Sequence, residues 1–182
     1  MKHMVYSDLL PKLSSQMVQN LSGKEFKLES LWESRRIVLC FLRHFGWMFA
    51  RQQAAALNEI KSHLDLADIY LAAIGSGNQE QAKDFIDKLS FEYDLFLNPD
   101  LSAYKTFKLK RAIVRTLGPP SLAKGVKAIK KGFRQGSSAG DLWQQGGIFV
   151  LGLGRQLLFQ HRNRFAGDHA GLNTVIRAFD AP

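Results

Sequence analysis

The sequence is poor in cysteine: Cys40 is the one cysteine in 182 residues. One thiol excludes an internal disulfide framework, a metal cluster held by cysteines and an intramolecular dithiol redox cycle. No stretch reaches the roughly 18 uninterrupted apolar residues that a membrane span requires. Asp8, Pro11 and Lys12 interrupt the first residues, which therefore lack the apolar core of a signal peptide. These absences predict a protein of the cytoplasm or another reducing compartment.

Acidic residues are missing from one long stretch of the chain. Between Asp100 and Asp141 there is none, and the same stretch contains ten lysine and arginine residues. The whole chain carries a formal net charge of +9, so the remainder is nearly neutral. The surplus charge is therefore a local patch, which points to an anionic partner rather than to a generally basic surface.

The apolar pattern indicates an ordinary globular domain with buried strands. Hydrophobic residues make up 46% and charged residues 23% of the chain, which excludes wholesale disorder. The runs Ile37–Leu42 and Ile69–Ile74 are apolar or aromatic throughout, as expected for central strands covered on both faces. Leucine and methionine spacing over residues 1–22 predicts an amphipathic helix, and hence an N-terminal helical extension followed by one domain over 23–182. Further helices are predicted at 48–64, 79–89, 101–107 and 172–179, and strands near 26–28, at 93–97, 148–151 and 157–161.

The junction between the first buried strand and the following helix reads FLRHFGWMFAR over residues 41–51. It resembles the Arg-[His/Arg]-Phe-Gly-Cys-x-x-Cys-Arg pattern of the peroxiredoxin-like branch of the alkyl hydroperoxide reductase and thiol-specific antioxidant family. Two further stretches are similar to the same family, one from Ala73 to Tyr104 and one from Gly140 to His169. The order of the predicted strands and helices favours an α/β fold with helices on both faces of the sheet, and the resemblance implies that it is thioredoxin-like. The basic stretch predicts a helical insert in this domain at about 105–138.

The family's two cysteine positions are occupied here by Trp47 and Ala50. Family chemistry requires an activated thiolate and a second thiol that resolves its oxidised form. An indole and a methyl group support neither step, and Cys40 belongs to the predicted buried strand, where an apolar setting raises a thiol pKa. We therefore interpret the redox site as naturally degenerate, with no catalytic residue assigned.

Other candidate site residues flank this degenerate site. Arg43, His44 and Arg51 could form a remnant pocket for an anion or an oxygenated substrate, or Arg43 and His44 could be satisfied by local backbone and carboxylates. The Gly167-Asp168-His169 triplet is interpreted as an N-terminal cap of the last helix. No set of His, Cys, Asp and Glu has metal-ligand spacing, so neither a metal nor another cofactor is predicted. The runs Gly75-Ser76-Gly77 and Gly152-Leu153-Gly154 fit turns better than a phosphate cradle.

Two surfaces are candidate contacts with a partner. The apolar side chains Trp47, Met48 and Phe49 would form an exposed rim if nothing packs over them. Residues 121–134 match an amphipathic helix that could lie on an anionic membrane, or pack on the domain with solvated lysines. The basic side chains of this predicted helix are Lys124, Lys127, Lys130, Lys131 and Arg134.

These observations favour a redox-inactive protein that acts by binding, as a scaffold or assembly factor. The expected partner is an acidic protein, a membrane-protein complex or an anionic lipid surface. Nucleic acid is not expected, because the basic stretch has few aromatic residues between its cations. The alternative is a peroxiredoxin-like antioxidant or lipid-peroxide oxidoreductase that uses the family pocket without the cysteine pair. A peroxidase that relies on Cys40 alone is the least favoured reading.

Overall fold

A central mixed sheet organises the structure, a computed structural model that describes residues 10–13, 15–46, 48–111, 143–153, 156–165 and 167–179. The described helices and strands are α1 (Leu10–Leu13), β1 (Met17–Gln19), β2 (Glu25–Lys27), β3 (Arg36–Phe41), α2 (Met48–Leu66), β4 (Ile69–Gly75), α3 (Gln79–Leu89), β5 (Asp94–Leu97), α4 (Ser102–Thr106), β6 (Gly147–Gly152), β7 (Gln156–Arg162) and α5 (Leu172–Arg177). A short 3-10 helix, Leu28–Leu31, follows β2.

The strands β3 and β4 occupy the centre of the sheet, as their continuous apolar sequences predict. Within the described residues the seven strands lie in the order β2-β1-β5-β4-β3-β6-β7. β3, β4 and β5 run parallel, whereas β6 and β7 form an antiparallel hairpin on the other side of β3. Parallel neighbours bring their carboxyl ends to one edge of the sheet, where loops that carry functional residues commonly begin.

Alternate side chains of the central strands enter two separate cores. On one face Val38 and Cys40 pack with α2, α3 and α5, and on the other face Leu39 and Phe41 pack with α1, the 3-10 helix and α4. The period of two along a strand produces this division. Helices therefore cover both faces of the sheet, which confirms the predicted α/β, thioredoxin-like architecture.

The N-terminal segment differs from its predicted conformation. Residues 1–22 match a helical pattern, but the described helix is confined to Leu10–Leu13, and Met17–Gln19 form strand β1. The Asn20 side chain accepts hydrogen bonds from the backbone of Ser22 and Lys24, at 3.0 and 2.9 Å, and this turn folds β2 back on β1. β1 also pairs with β5 through Gln19 and Leu97, so the sheet begins before residue 23. Residues 1–9 lie outside the described ranges.

The two long helices follow their sequence patterns closely. α2 buries Ala54, Leu57 and Leu64 along one face, at the spacing of an amphipathic helix. α3 begins with a capping box, in which the Asn78 side chain accepts from the Gln81 backbone and the Gln81 side chain accepts from the Asn78 backbone. The capping box fixes the N-terminus of α3, which begins shortly after the carboxyl end of β4.

Candidate functional site

The loop that leaves β3 places Arg43, His44 and Phe45 at the carboxyl edge of the parallel strands. All three side chains are buried, with exposed fractions of 0%, 1% and 2%. Nη1 of Arg43 donates a 2.5 Å hydrogen bond to Oε1 of Gln145, which lies just before β6. Arg43 therefore contacts a neutral amide far along the chain, and the prediction of local backbone or carboxylate partners did not anticipate this contact.

Phe45 fills the space that two glycines leave open at the end of β4. A Cβ atom on Gly75 would lie 2.1 Å from Cζ of Phe45, and one on Gly77 would lie 2.5 Å from Cδ2. On its other side the Phe45 ring packs against Phe85 of α3, with ring centroids 5.0 Å apart. An aromatic ring thus packs directly against the Gly75-Ser76-Gly77 run at the end of β4.

Tyr104, from α4, holds the ends of β3 and β4 together from the other face. Its hydroxyl lies 2.7 Å from the carbonyl oxygen of Leu42 and 2.9 Å from that of Ile74. The side chain is fully buried, and this burial raises the pKa of its hydroxyl, so it stays a neutral donor. No local sequence pattern marks this tyrosine as a brace between the two strands, because both of its acceptors lie at least 30 residues away in the chain.

The structure describes Ala50, one of the two positions of the degenerate redox motif. Ala50, in the first turn of α2, is fully buried and belongs to the same apolar core as Val38 and Cys40. Trp47 lies outside the described residues. Arg51, the third pocket candidate, follows Ala50 on α2 and is half-buried. The described site therefore presents a packed alanine where the resemblance expects a thiol.

The predicted apolar rim is wrong at Phe49. Phe49 has an exposed fraction of 3%, and its ring lies in an edge contact with His169, with centroids 6.5 Å apart. Met48 is half-buried. The segment that follows β7 covers the start of α2, and an analysis of the α2 sequence alone misses this contact because its partner lies 120 residues later in the chain.

Asp168 has a different role from the predicted helix cap. α5 begins after Gly171, which provides no side-chain cap. The Asp168 carboxylate instead accepts a 2.9 Å hydrogen bond from the backbone of Arg164, and Nε2 of His161 donates to the Asp168 carbonyl at 3.0 Å. These bonds close the turn of residues 164–168. The capping prediction is therefore wrong, because the Asp168 carboxylate bonds to the Arg164 backbone and lies before the N-cap position, which is Gly171.

Cys40 lies as the sequence predicts, inside β3 and away from the site. Its neighbours in the sheet are Ala73 of β4 and Ile148 of β6, and its side chain has no exposed surface. Burial in this apolar setting raises the thiol pKa far above its ordinary value. The thiolate that nucleophilic chemistry requires is therefore disfavoured at every physiological pH.

The basic stretch enters and leaves the domain beside the site. Four cations on its described part are exposed, and they alternate with buried side chains that anchor the segment. The exposed cations are Lys105, Lys108, Lys110 and Arg111. Residues 112–142, which include the predicted basic helix with Lys124, Lys127, Lys130, Lys131 and Arg134, lie outside the described ranges, so that helix stays a prediction.

No helix in the described part of the chain is both long and apolar enough to cross a membrane. In the same residues, no three His, Cys, Asp or Glu side chains come together as a metal site would require.

Comparison with known proteins decides the family. A model of the AhpC/TSA antioxidant enzyme family matches residues 56–164, which is more than half of the chain. The chain belongs to this family. A prostamide/prostaglandin F synthase of Xenopus laevis is 31% identical over 92% of this chain and 86% of that protein. The "Thioredoxin-like protein AAED1, chloroplastic" of Arabidopsis thaliana is 29% identical over 91% of this chain and 71% of its own length.

Solved structures agree with the fold of the AhpC/TSA family. The crystal structure of peroxidoxin BcpB from Mycobacterium tuberculosis superposes with a TM-score of 0.65 at 14% identity, over 91% of each chain. A peroxiredoxin Q structure from Xanthomonas campestris has a TM-score of 0.61 over 86% of this chain. The chain is thus a peroxiredoxin-like AhpC/TSA protein with a thioredoxin-like fold. Its Cys-x-x-Cys positions hold tryptophan and alanine.

Proposed function

We propose that this AhpC/TSA protein acts by binding and not by thiol chemistry. The observation that carries the proposal is the position of Cys40, the one thiol of the chain, with no exposed surface inside the central strand. A peroxide must meet a thiolate in line with its O–O bond, and a thiol enclosed by the sheet and α2 offers neither access nor charge. Ala50 supplies no substitute at the helix where the family carries its thiol chemistry.

The alternative is an oxidoreductase that uses the family pocket without thiols. Its support is the similarity to prostamide/prostaglandin F synthases, whose names imply an oxygenated lipid substrate. Such an enzyme needs an open cavity beside α2, yet Arg43, His44 and Phe45 are almost completely buried, and Phe45 fills the space above Gly75 and Gly77. The closed surface of these described residues favours the binding function.

The basic stretch is the proposed contact surface. Lys105, Lys108, Lys110 and Arg111 point to solvent around a backbone anchored by buried Leu109 and Phe107. The sequence adds six further cations and one carboxylate between residues 112 and 142. We propose that this surface binds an anionic partner, either an acidic protein or membrane assembly or an anionic lipid surface, at which the protein acts as a scaffold.

A peroxide-reduction assay tests the thiol-independent part of the proposal. We expect the purified protein to consume hydrogen peroxide or a lipid hydroperoxide no faster with dithiothreitol or thioredoxin than without. The Trp47→Cys/Ala50→Cys variant is the informative comparison, because it restores the family's thiol pair on the same scaffold. Turnover by the natural sequence that disappears in Cys40→Ser would overturn the proposal.

Flotation with vesicles tests the contact surface. We expect binding to phosphatidylserine-containing vesicles, no binding to neutral ones, and loss of binding at high salt, since each cation near such a surface contributes about 1 kcal/mol. Lys124, Lys127, Lys130 and Lys131 changed together to Glu should abolish binding. The control changes Lys12, Lys24, Lys27 and Lys83, which are exposed elsewhere, to Glu, and therefore has the same net charge. Equal loss in both variants would contradict a defined basic surface, and no binding at all would favour an acidic protein partner.

A further inference from the structure

The two ends of the basic stretch are joined to each other where they meet the domain. Arg111 and Gln144 form an antiparallel bridge, and the backbone of Gln145 donates a 3.0 Å hydrogen bond to the carbonyl of Lys110. The side-chain amide of Gln144 lies 3.2 Å from the carbonyl oxygen of Leu109. We refer to residues 109–111 and 143–146 as the base of the basic segment. Because of these bonds, residues 112–142 begin and end at neighbouring points.

Buried contacts hold the first part of this base, residues 109–111, against the sheet. Nε of Arg162, in β7, donates a 2.8 Å hydrogen bond to the carbonyl of Phe107. The Leu109 side chain packs on Gly147, where a Cβ atom would lie only 2.9 Å from Leu109 Cδ2. The backbone of Leu109 donates to the carbonyl of Tyr104 at 2.9 Å. Residues 104–109 are therefore fixed to the ends of β3, β4, β6 and β7.

Arg43 holds the second part of the base, residues 143–146. The Arg43–Gln145 hydrogen bond joins the loop after β3 to the residue that also pairs with Lys110, and both side chains are almost completely buried. Hydrogen bonds that involve a charged donor are stronger than those between neutral groups, so the Arg43 guanidinium strongly restrains the position of the Gln145 side chain. The Gln145 side chain also lies 3.4 Å from the carbonyl oxygen of Trp143, which orients its amide so that Oε1 faces Arg43.

We infer that Arg43 is a positioning residue for the basic segment: it fixes Gln145, and Gln145 fixes the register of the base. An arginine in the loop that precedes the helix of the degenerate redox motif thus supports the surface that binds a partner. Its consequence for binding rests on the proposed function, whereas its effect on the base is a property of the fold alone. Contact with an anionic surface then depends on residues of the former redox site.

Amide exchange in the Gln145→Leu variant tests this inference. In this variant we expect the backbone amide of residue 145 to exchange roughly tenfold faster or more, because its hydrogen bond to Lys110 loses the support of the side-chain contact with Arg43. The amide of Asn98, bonded to Gly75 at 2.8 Å beyond β4, should not change. Gln145→Glu keeps an acceptor for Arg43 and should retain slow exchange, and Gln156→Leu, an exposed glutamine on β7, is the matched control. Unchanged amide exchange at residue 145 of the Gln145→Leu variant, or equal acceleration at Asn98, would overturn the inference.

The wild-type protein provides a second measurement that does not depend on a variant that folds. The Arg43 guanidinium should give slowly exchanging NMR signals with a nuclear Overhauser contact to the Gln145 side chain, and rapid exchange of these protons would overturn the inference.

Vesicle binding distinguishes the two proposals. Weaker binding by Gln145→Leu than by Gln156→Leu, by several-fold, supports the positioning role. Normal binding by Gln145→Leu despite a loosened base contradicts the positioning role, and no binding by the wild type contradicts the proposed membrane contact alone.

Discussion

Cys40 is a buried thiol between two neighbouring strands of the sheet, and its ionisation is linked to folding. Because burial raises its pKa, the folded state keeps the proton that the unfolded thiol loses near pH 8.5. The stability of the fold is therefore independent of this group below that pH and decreases above it. Tyr93 and Tyr104, whose pKa values are also raised by burial, add to the decrease near pH 10.

Stability in alkali is the first testable consequence. We expect the free energy of unfolding to fall between pH 8 and pH 10, and the decrease should be smaller in Cys40→Ala by up to about 1.4 kcal/mol per pH unit above the unfolded thiol pKa. Urea denaturation of both proteins at pH 7, 9 and 10 measures the difference. Parallel pH profiles for the two proteins would show that the thiol is not a linked group.

Gly75 predicts a steric effect at the same scale. Alanine at this position would place Cβ 2.1 Å from the Phe45 ring, which is buried and packed on Phe85, so Gly75→Ala should destabilise the fold by about 1–3 kcal/mol. The double variant with Phe45→Leu should recover part of that loss. Gly171→Ala, where the nearest atom is 3.6 Å away, is the control and should change the free energy of unfolding by less than about 1 kcal/mol.

The α3 cap is a prediction at the scale of an element. The Asn78 side chain satisfies the Gln81 backbone N–H at 2.9 Å, and Asn78→Ala should cost about 1 kcal/mol. Asn173→Ala, an exposed position inside α5, is the control and should have little effect. Thermal unfolding of the two variants compares them, and similar melting temperatures would mean that the cap adds no stability. The element matters for the site because Phe85 of α3 supports Phe45.

Elements with strong local patterns were predictable from the sequence. α3 was predicted at Gln79–Leu89 and occurs there, because its asparagine cap and apolar spacing agree. The strand Met17–Gln19 was not predictable, since three residues with one buried side chain also fit a helical pattern and only pairing with β2 and β5 selects the strand. The predictions for Asp168 and Phe49 were wrong for a similar reason, since both depend on the segment that follows β7. The Asp168 carboxylate bonds to the backbone of Arg164 in that segment, and Phe49 packs against His169.

At the scale of the whole molecule, the described residues form two cores that the sheet separates, and this arrangement predicts additive effects of substitutions on its two faces. Ile60→Val in α2 and Ile37→Val in β3 lie on opposite faces, and each should cost about 0.5–1.5 kcal/mol. Their sum should describe the double variant within about 0.5 kcal/mol. Phe107→Leu with Phe149→Leu, whose rings lie 4.6 Å apart within one core, should deviate by more. Urea denaturation of the wild type and the six variants measures both cycles, and a large interaction across the sheet would contradict two independent cores.

The pairing of Arg111 with Gln144 has a consequence for how the chain can vary in length. Since the fold holds both ends of residues 112–142 side by side, the rest of the domain does not constrain the number of residues between them. A longer or shorter interval can therefore leave the pairing of Arg111 with Gln144 unchanged. The net charge of the protein can therefore change in this interval while the sheet stays the same.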